Sequence, residues 1–441
     1  MSETIYALAS AAGRAGIAVW RLSGEGSGTA LSALTGKPLP EPRRARRVRL
    51  RDGAGEVLDD GLVLWFPAPH SFTGEDVAEL HLHGGRAVAA ALTARLGELG
   101  LRPAEPGEFS RRAFLNGKLD LTRAEAIADL VDAETAAQRR QALRQLDGGL
   151  AGLVEGWRSA LVRAMAHLEA VIDFADEDIP DTLLEQSVGE VRSLRREMEV
   201  HLDERRNGER LRDGIHITIL GAPNAGKSSL LNRLAGREAA IVSAQAGTTR
   251  DVIEVHLDLG GWPVIVADTA GLRDSACEIE SEGVRRAADR AAKADLRLCV
   301  FDGTLYPNLD AATLEMIDDA TLVVLNKRDL MTGETPASIN GRPVLTLSAK
   351  AGEGVDDLVA ELARVVESRF AMGSAPVLTR ERHRVAVAEA VAALSRFDPG
   401  LGIEMAAEDL RLAARSLGRI TGRVDVEEIL DVIFHEFCIG K

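Results

Sequence analysis

The chain has 441 residues, 46% of them hydrophobic and 27% charged, as expected of a globular protein of about two or three domains. Its formal net charge of −15 gives no general attraction to nucleic acid, so any RNA contact would need a local basic surface. No run of about eighteen apolar residues is present, so no membrane-spanning segment is expected, and MSETIYALAS at the start lacks the basic flank and long apolar stretch of a secretory signal. Three well-separated cysteines, Cys277, Cys299 and Cys438, argue against a disulfide framework and point to a reducing cytoplasm.

In chain order, Ile17 to Leu22 reads as an apolar strand ending at Gly24. Arg43, Arg44, Arg46, Arg47, Arg49 and Arg51 form the best basic patch. They either contact RNA or line the wet side of a strand through Val48 and Leu50, and their alternation favours the strand. Leu62 to Phe66 is a further strand, stopped by Pro67 and Pro69. Val77 to His83 alternates until Gly84-Gly85, before an alanine-rich helix from Val88 to Leu99. Residues 1–116 therefore read as an α+β domain.

From Leu119 the period becomes helical, with Thr122 and Glu125 spaced as a capping box. Leu153, Trp157, Leu161, Leu168 and Ile172 mark one helix. Val188, Val191, Leu194, Met198 and Leu202 mark another that closes near Asn207-Gly208. Val385 to Leu394, Leu410 to Leu417 and Glu427 to Phe437 are helical again. The economical reading is one discontinuous α-helical domain, 117–212 plus 373–441, with a nucleotide-binding domain inserted at 213–372.

That inserted domain carries five motifs in order. Strand Ile215 to Leu220 leads into Gly221-Ala-Pro-Asn224-Ala225-Gly226-Lys227-Ser228-Ser229 and then a helix, the context that identifies a phosphate loop. Backbone N–H groups and a helix N-terminus would cradle phosphate oxygens there. Lys227 would reach the β- and γ-phosphates, and the Ser228 hydroxyl would bind Mg²⁺. Gly247-Thr248-Thr249 lies in a polar loop, and either threonine can close on Mg²⁺ and the γ-phosphate. Strand Pro263 to Ala267 delivers Asp268-Thr-Ala-Gly271, placing a carboxylate at the Mg²⁺ shell and a glycine N–H at the γ-phosphate.

Thr321 to Leu325 ends in Asn326-Lys327-Arg328-Asp329. The Asp329 carboxylate can accept from guanine N1–H and the 2-amino group, which adenine cannot supply in that pattern. Asn326 would tie this loop to the phosphate loop, and the Lys327 stem would cover the base. Strand Val344 to Leu347 delivers Ser348-Ala349-Lys350, with a backbone N–H for guanine O6. The set points to GTP rather than ATP. The residue after the D-x-x-G motif is Leu272, which cannot orient water, so hydrolysis needs another polar group. Glu278, Glu280 and Glu282 stand just beyond; they either supply that group or form a solvated helix start.

With these motifs in place, nearly the whole chain resembles the MnmE family (also called TrmE) of bacterial tRNA-modification GTPases, within the TrmE-Era-EngA-YihA-Septin-like superfamily. Beyond the GTPase motifs, the resemblance rests on Gly13-Arg14-Ala-Gly16-Ile17, Arg21-Leu-Ser-Gly24 and Phe72-Thr-Gly-Glu-Asp-Val-Ala-Glu79-Leu-His-Leu-His-Gly-Gly85. It also rests on Pro106 through Lys118-Leu-Asp-Leu and on the final Phe437-Cys438-Ile439-Gly440-Lys441.

The resemblance implies a multidomain α/β protein: an N-terminal α+β domain like folate-binding one-carbon enzymes, a discontinuous helical domain, and an inserted Ras-like G domain. It implies a 5-formyl-tetrahydrofolate-type cofactor held by Arg21, Glu79, Lys118 and Lys441, and a homodimer formed through the N-terminal domain. It also implies a flavoprotein partner, MnmG, with which such proteins modify carbon 5 of the wobble uridine of tRNA in the cytoplasm. K⁺ would activate hydrolysis, with Asn224 and carbonyls around Ser243 and Gln245 at its site near Thr248. The family's catalytic glutamate aligns with Glu280, and its Mg²⁺-closing threonine with Thr249. Cys438 is thought to matter for modification in that family. Ala11-Ala12, Trp20 and Ala222 depart from the family's commonest form. The competing reading is a ribosome-assembly GTPase of the Era or Der type, which shares the five motifs; a single phosphate loop and the N-terminal third argue against it.

Overall fold

The computed structural model describes residues 3–173, 181–203, 207–237, 239–241, 254–268, 294–370, 378–424, 427–435 and 437–440. Contacts divide the chain into two compact units. One comprises 1–128, 145–191 and 392–441; the other comprises 129–144 and 192–391.

The first unit contains a six-stranded sheet: β1 (Ile5–Leu8), β2 (Ala15–Ser23), β3 (Arg46–Arg51), β4 (Val57–Phe66), β5 (Val77–Gly84) and β6 (Arg102–Pro103), in the order β3-β4-β5-β2-β1-β6. Neighbours are antiparallel except β1 with β6. Period-two alternation sends Trp20, Leu22, Val48, Leu50, Leu80 and Leu82 into one core, with Leu31 and Leu34 from helix Ser27–Thr35 and Leu92 and Leu96 from helix Arg86–Glu98. In β3, Val48 and Leu50 are buried while Arg47, Arg49 and Arg51 face out. Arg47 and Arg49 share Asp60 at 2.9 and 3.5 Å, and Arg51 donates to the Gly55 carbonyl. Arg47, Arg49 and Arg51 are the wet side of a strand, and Arg43 and Arg44 precede it.

The opposite sheet face carries Ile5, Ala7, Ala104 and Phe109, and an ionic network beside them. Arg112, 9% exposed, donates to Glu75 at 2.9 Å and Glu108 at 2.8 Å, while Ser23 Oγ donates to Glu75 at 2.8 Å. Burial alone would raise the Glu108 carboxyl. Bonds from Arg102, the Glu105 N–H and Arg112 outweigh it and hold the group at about 2, below its ordinary 4.5. Its contribution to stability is therefore complete above 4.5 and is lost as pH falls toward 2. Urea unfolding of Glu108→Gln is expected to show a shallower loss of stability through that window than wild type; parallel profiles would overturn the assignment.

Helix Leu121–Asp132 starts two residues ahead of the expected capping box. Asp120 is the cap: its Oδ1 accepts from the Arg123 N–H at 3.0 Å and from Thr122 Oγ1 at 2.5 Å. Thr122 and Glu125 are both buried inside the helix. An aspartate directly ahead of the apolar run captures the orphan N–H before the threonine can. Helix Gly149–Asp173 buries Leu150, Val154, Trp157, Leu161 and Leu168, with Leu153 only half-buried, one position away from the expected stripe.

That helix packs along helix Ile403–Thr421, with ion pairs Arg411–Glu169 (3.0 Å) and Arg423–Glu155 (3.3 Å). Leu121 and Ala124 share a core with Leu430, Ile433, Phe434 and Phe437. Segments from both sides of the inserted domain thus build one helical body. Its last described residues return to the N-terminal sheet, where Ile439 bridges Pro106.

The second unit contains an eight-stranded sheet: β7 (Ile215–Leu220), β8 (Ala240–Ile241), β9 (Glu254–Leu259), β10 (Trp262–Asp268), β11 (Leu296–Asp302), β12 (Thr321–Asn326), β13 (Ser338–Ile339) and β14 (Arg342–Thr346). The order is β13-β14-β12-β11-β7-β10-β9-β8, with β7, β10, β11, β12 and β14 parallel. Near-continuous apolar runs such as Leu-Val-Val-Leu in β12 are fully buried, as a parallel sheet covered on both faces requires. Helices Lys227–Ala235 and Val355–Phe370 contribute Leu230, Leu231, Leu358, Leu362 and Val366 to its main core.

Two expectations change here. Asn207-Gly208 opens a short helix, Asn207–Asp213, rather than closing the preceding one. Residues 129–144, 192–203, 207–212 and 378–391, read as part of the helical domain, group with the nucleotide-binding unit. Asp129 accepts from Arg212 (3.2 Å) and Arg380 (2.7 Å), and His256 of β9 meets Glu134 at 2.9 Å.

Candidate functional site

Parallel strands end on a common edge, so the loops after β7, β12 and β14 converge there. After β7 the chain turns sharply at Gly221, φ +154, where a Cβ would stand 2.2 Å from the Val300 carbonyl oxygen. Asn224 is left-handed at φ 62, a conformation asparagine tolerates better than most residues. Gly226, φ +98, precedes helix Lys227–Ala235, and a Cβ there would lie 2.0 Å from Asn326 Nδ2. Lys227 folds back over the loop, donating to the carbonyls of Gly221 (2.7 Å) and Ala222 (2.9 Å).

Asn326 is 3% exposed and serves two loops at once. Its Nδ2 donates to the Ala225 carbonyl at 2.8 Å, and its Oδ1 accepts from the Ala349 N–H at 2.9 Å. The phosphate loop and the Ser348-Ala349-Lys350 loop are therefore registered against one side chain. Ser348 Oγ shapes the latter by accepting from the Ala351 N–H at 3.0 Å. Lys327 is left-handed, and its ammonium contacts Asp302 Oδ2 at 2.6 Å. Burial would raise Asp302, but hydrogen bonds from Lys327 and Thr304 bring it below the ordinary carboxylate value. The pair fixes the lysine stem beside the cavity.

A cavity of about 810 Å³ opens over this edge, lined by Asn224, Gly226, Lys227, Ser228, Ser229, Asn326, Lys327, Asp329, Ser348, Ala349 and Lys350, together with Pro223 and Leu330. Ala225 is buried beneath it and takes part through its backbone. Asp329 is exposed at the mouth, and Leu330 offers an apolar surface, 62% exposed. One end thus gathers N–H groups, an ammonium and hydroxyls suited to phosphates. The other gathers a carboxylate, a lysine stem and a backbone N–H suited to a guanine edge. Asp268 ends β10 beside β7, with its side chain outside the described residues. Ser243, Gln245, Thr248, Thr249, Gly271 and Glu280 also lie outside them.

Arg233 and Asp302 escaped the sequence reading. Arg233 donates to the carbonyls of Ala349 (3.2 Å) and Lys350 (2.6 Å), and Asp302 anchors Lys327. Both act over long sequence separations, so no local motif announces them.

In the N-terminal sheet, Arg21 and Glu79 are directly paired across β2 and β5 and joined at 3.1 Å. The Arg21 guanidinium lies over Phe72 (5.3 Å) and Phe109 (5.8 Å), and Glu79 also meets His81 at 3.5 Å. Lys118 is exposed, its stem within reach of Gly74, and Lys441 lies outside the described residues. A separate cavity of about 380 Å³, lined by Ala11, Ala12, Trp20, His83 and Arg86 among others, does not include Arg21, Glu79 or Lys118. Cys438 is exposed, whereas Cys299 is buried in β11, where burial pushes its thiol up to about 12. No helix among the described residues is long and apolar enough to cross a membrane.

A family model described as the MnmE helical domain matches residues 121–438, and one described as the GTP-binding protein TrmE N-terminus matches residues 4–118. The chain is 57% identical to a protein of Rhodospirillum rubrum named tRNA modification GTPase MnmE, over 100% of this chain and 99% of that relative. Relatives of the same name in Parvibaculum lavamentivorans and Caulobacter vibrioides are 57% and 51% identical, each over 100% of both chains. Among solved structures, the G domain of the T. maritima FeoB iron transporter covers 34% of this chain at 25% identity and a TM-score of 0.26, a likeness too slight to carry an argument. Full-length similarity of this order, on top of the guanine-type loop constellation, places the chain in the MnmE/TrmE family of tRNA-modification GTPases.

Proposed function

We propose that the protein hydrolyses GTP in the service of modifying carbon 5 of the wobble uridine of tRNA, in the cytoplasm, as a homodimer working with an MnmG-type flavoprotein. The observation that carries the GTP part is Asn326, whose two short bonds hold the phosphate loop and the base loop as one receptor. The relatives, named tRNA modification GTPase MnmE, support the tRNA-modification part.

In this reading Lys227 and the phosphate-loop N–H groups hold the β- and γ-phosphates, and Asp329 with a backbone N–H of the Ser348-Ala349-Lys350 loop selects guanine. The hydroxyls lining the phosphate end fit a hard cation, so Ser228 with Thr248 or Thr249 and Asp268 would hold Mg²⁺ against the phosphate oxygens. Asn224, with carbonyls of Ser243 and Gln245, would hold K⁺. A bound cation there supplies positive charge against the phosphates, the job an arginine finger does elsewhere. Glu280 orients the water that attacks the γ-phosphorus; the bridging oxygen leaves with GDP, and the water's oxygen leaves in inorganic phosphate.

The paired Arg21 and Glu79, with aromatic faces beside them, have the donor and acceptor chemistry for a reduced pterin, and Lys118 and Lys441 suit its glutamate tail. On this reading the N-terminal domain holds a 5-formyl-tetrahydrofolate-type one-carbon carrier.

Steady-state GTP hydrolysis in matched KCl and NaCl tests the cation assignment. A rate gain in K⁺ of about tenfold or more is expected, on the scale of one transition-state charge contact. Equal rates in both salts would remove K⁺ from the mechanism.

A further inference from the structure

Within the nucleotide site read above, one side chain has no assigned part. Arg233 sits on the helix that follows the phosphate loop, half-buried, one position before its last buried leucine, Leu234. Its Nε donates to the Ala349 carbonyl at 3.2 Å, and its Nη2 donates to the Lys350 carbonyl at 2.6 Å. A planar guanidinium with donors on two adjacent edges can hold two successive carbonyls in a fixed relation, which an ammonium cannot. Gly352, φ +88, lies alongside, and a Cβ there would make ordinary contact with the Arg233 Cζ at 3.4 Å. The peptide planes on either side of Ala349 are thus held from both directions: Asn326 Oδ1 takes the N–H on one side, and Arg233 takes the carbonyl on the other.

We infer that Arg233 is a positioning residue for base recognition, setting the Ser348-Ala349-Lys350 backbone so that an N–H meets the purine 6-oxygen. It thereby links the helix that reads phosphates to the loop that reads the base. The inference rests on the guanine-site reading, and its test separates the two.

Two analogues divide the contacts. Inosine diphosphate keeps the 6-oxygen and N1–H but lacks the 2-amino group, so its penalty reports Asp329. 6-Thioguanosine diphosphate keeps both donors but replaces the 6-oxygen by the weaker acceptor sulfur, so its penalty reports the backbone N–H. Wild type should prefer GDP over both. In Arg233→Met the preference over the thio analogue is expected to fall by about threefold to tenfold, the value of one neutral hydrogen bond, while the preference over inosine diphosphate stays. Arg233→Lys keeps the charge and stem without the fork and should move the same ratio in the same direction, which guards against a methionine variant that fails to fold. Wild-type thio ratios in these variants would overturn the inference. Loss of GDP preference over inosine diphosphate in wild type itself would instead overturn the guanine-site reading.

Discussion

Glu280→Ala is expected to lower GTP turnover by about 10²–10⁴-fold while leaving guanine-nucleotide affinity within about twofold of wild type, the range for losing a group that positions or deprotonates a nucleophile. The residue after the D-x-x-G motif is Leu272, whose side chain has neither donor nor acceptor, and GTP hydrolysis requires a water placed in line with the γ-phosphorus. Nucleotide affinity comes from the phosphate loop and the base loops, which belong to other segments of the chain, so the two effects separate. Single-turnover hydrolysis in KCl, with affinity from a fluorescent-GDP titration, checks both. Glu280→Gln retains a polar group that can orient water without accepting its proton, so partial activity there assigns orientation. An alanine variant with wild-type turnover would move catalysis to another residue, with Glu278 and Glu282 next in line.

Asp329→Asn should change what the protein binds. The substitution preserves shape but exchanges one carboxylate acceptor for an amide donor, which then faces a donor of guanine. Affinity for GDP should fall by roughly 10²–10⁴-fold, as when a site built around a hydrogen bond meets a ligand that cannot complete it. Xanthine keeps N1–H but carries a carbonyl where guanine has its amino group, so the variant amide can pair with it and xanthosine diphosphate should gain. Parallel titrations with the two diphosphates decide the matter. Retained preference for GDP would show that the base is read elsewhere than at the cavity mouth, where Asp329 now stands exposed.

The legible parts of this protein were those with local signatures. Ile215–Leu220 is a strand with the expected limits, and β12 extends the expected Thr321–Leu325 by only one residue, because apolar runs between turn residues define buried parallel strands. Arg46–Arg51 follows its alternation. The bond from Asn326 to the phosphate loop is legible because the motif itself fixes that partner, whereas its bond to the Ala349 N–H is not.

What failed to show was decided by competition or by distance. Thr122 had the spacing of a cap, but Asp120 stood closer to the orphan N–H groups. Residues 129–144 group with the nucleotide-binding unit, where Glu134 meets His256 of β9, a partner far away in sequence. Arg112 and Glu75 lie in segments that carry the family resemblance, where sequence assigns them no part, and the structure uses them in an ionic network beside the sheet. Periodicity reports which way a residue faces and is silent about which distant group it will meet.

The closeness of Gly226 to Asn326 also constrains how the sequence can drift. The space a methyl group would need at position 226 is already filled by the amide that holds both loops. Enlarging the first residue therefore displaces the second, and shortening the second to make room abandons the bonds that register the loops. Neither position has a single-step neutral exit, so the two should be inherited as a locked pair, and a laboratory lineage selected for activity should leave both unchanged while the helical surfaces diversify.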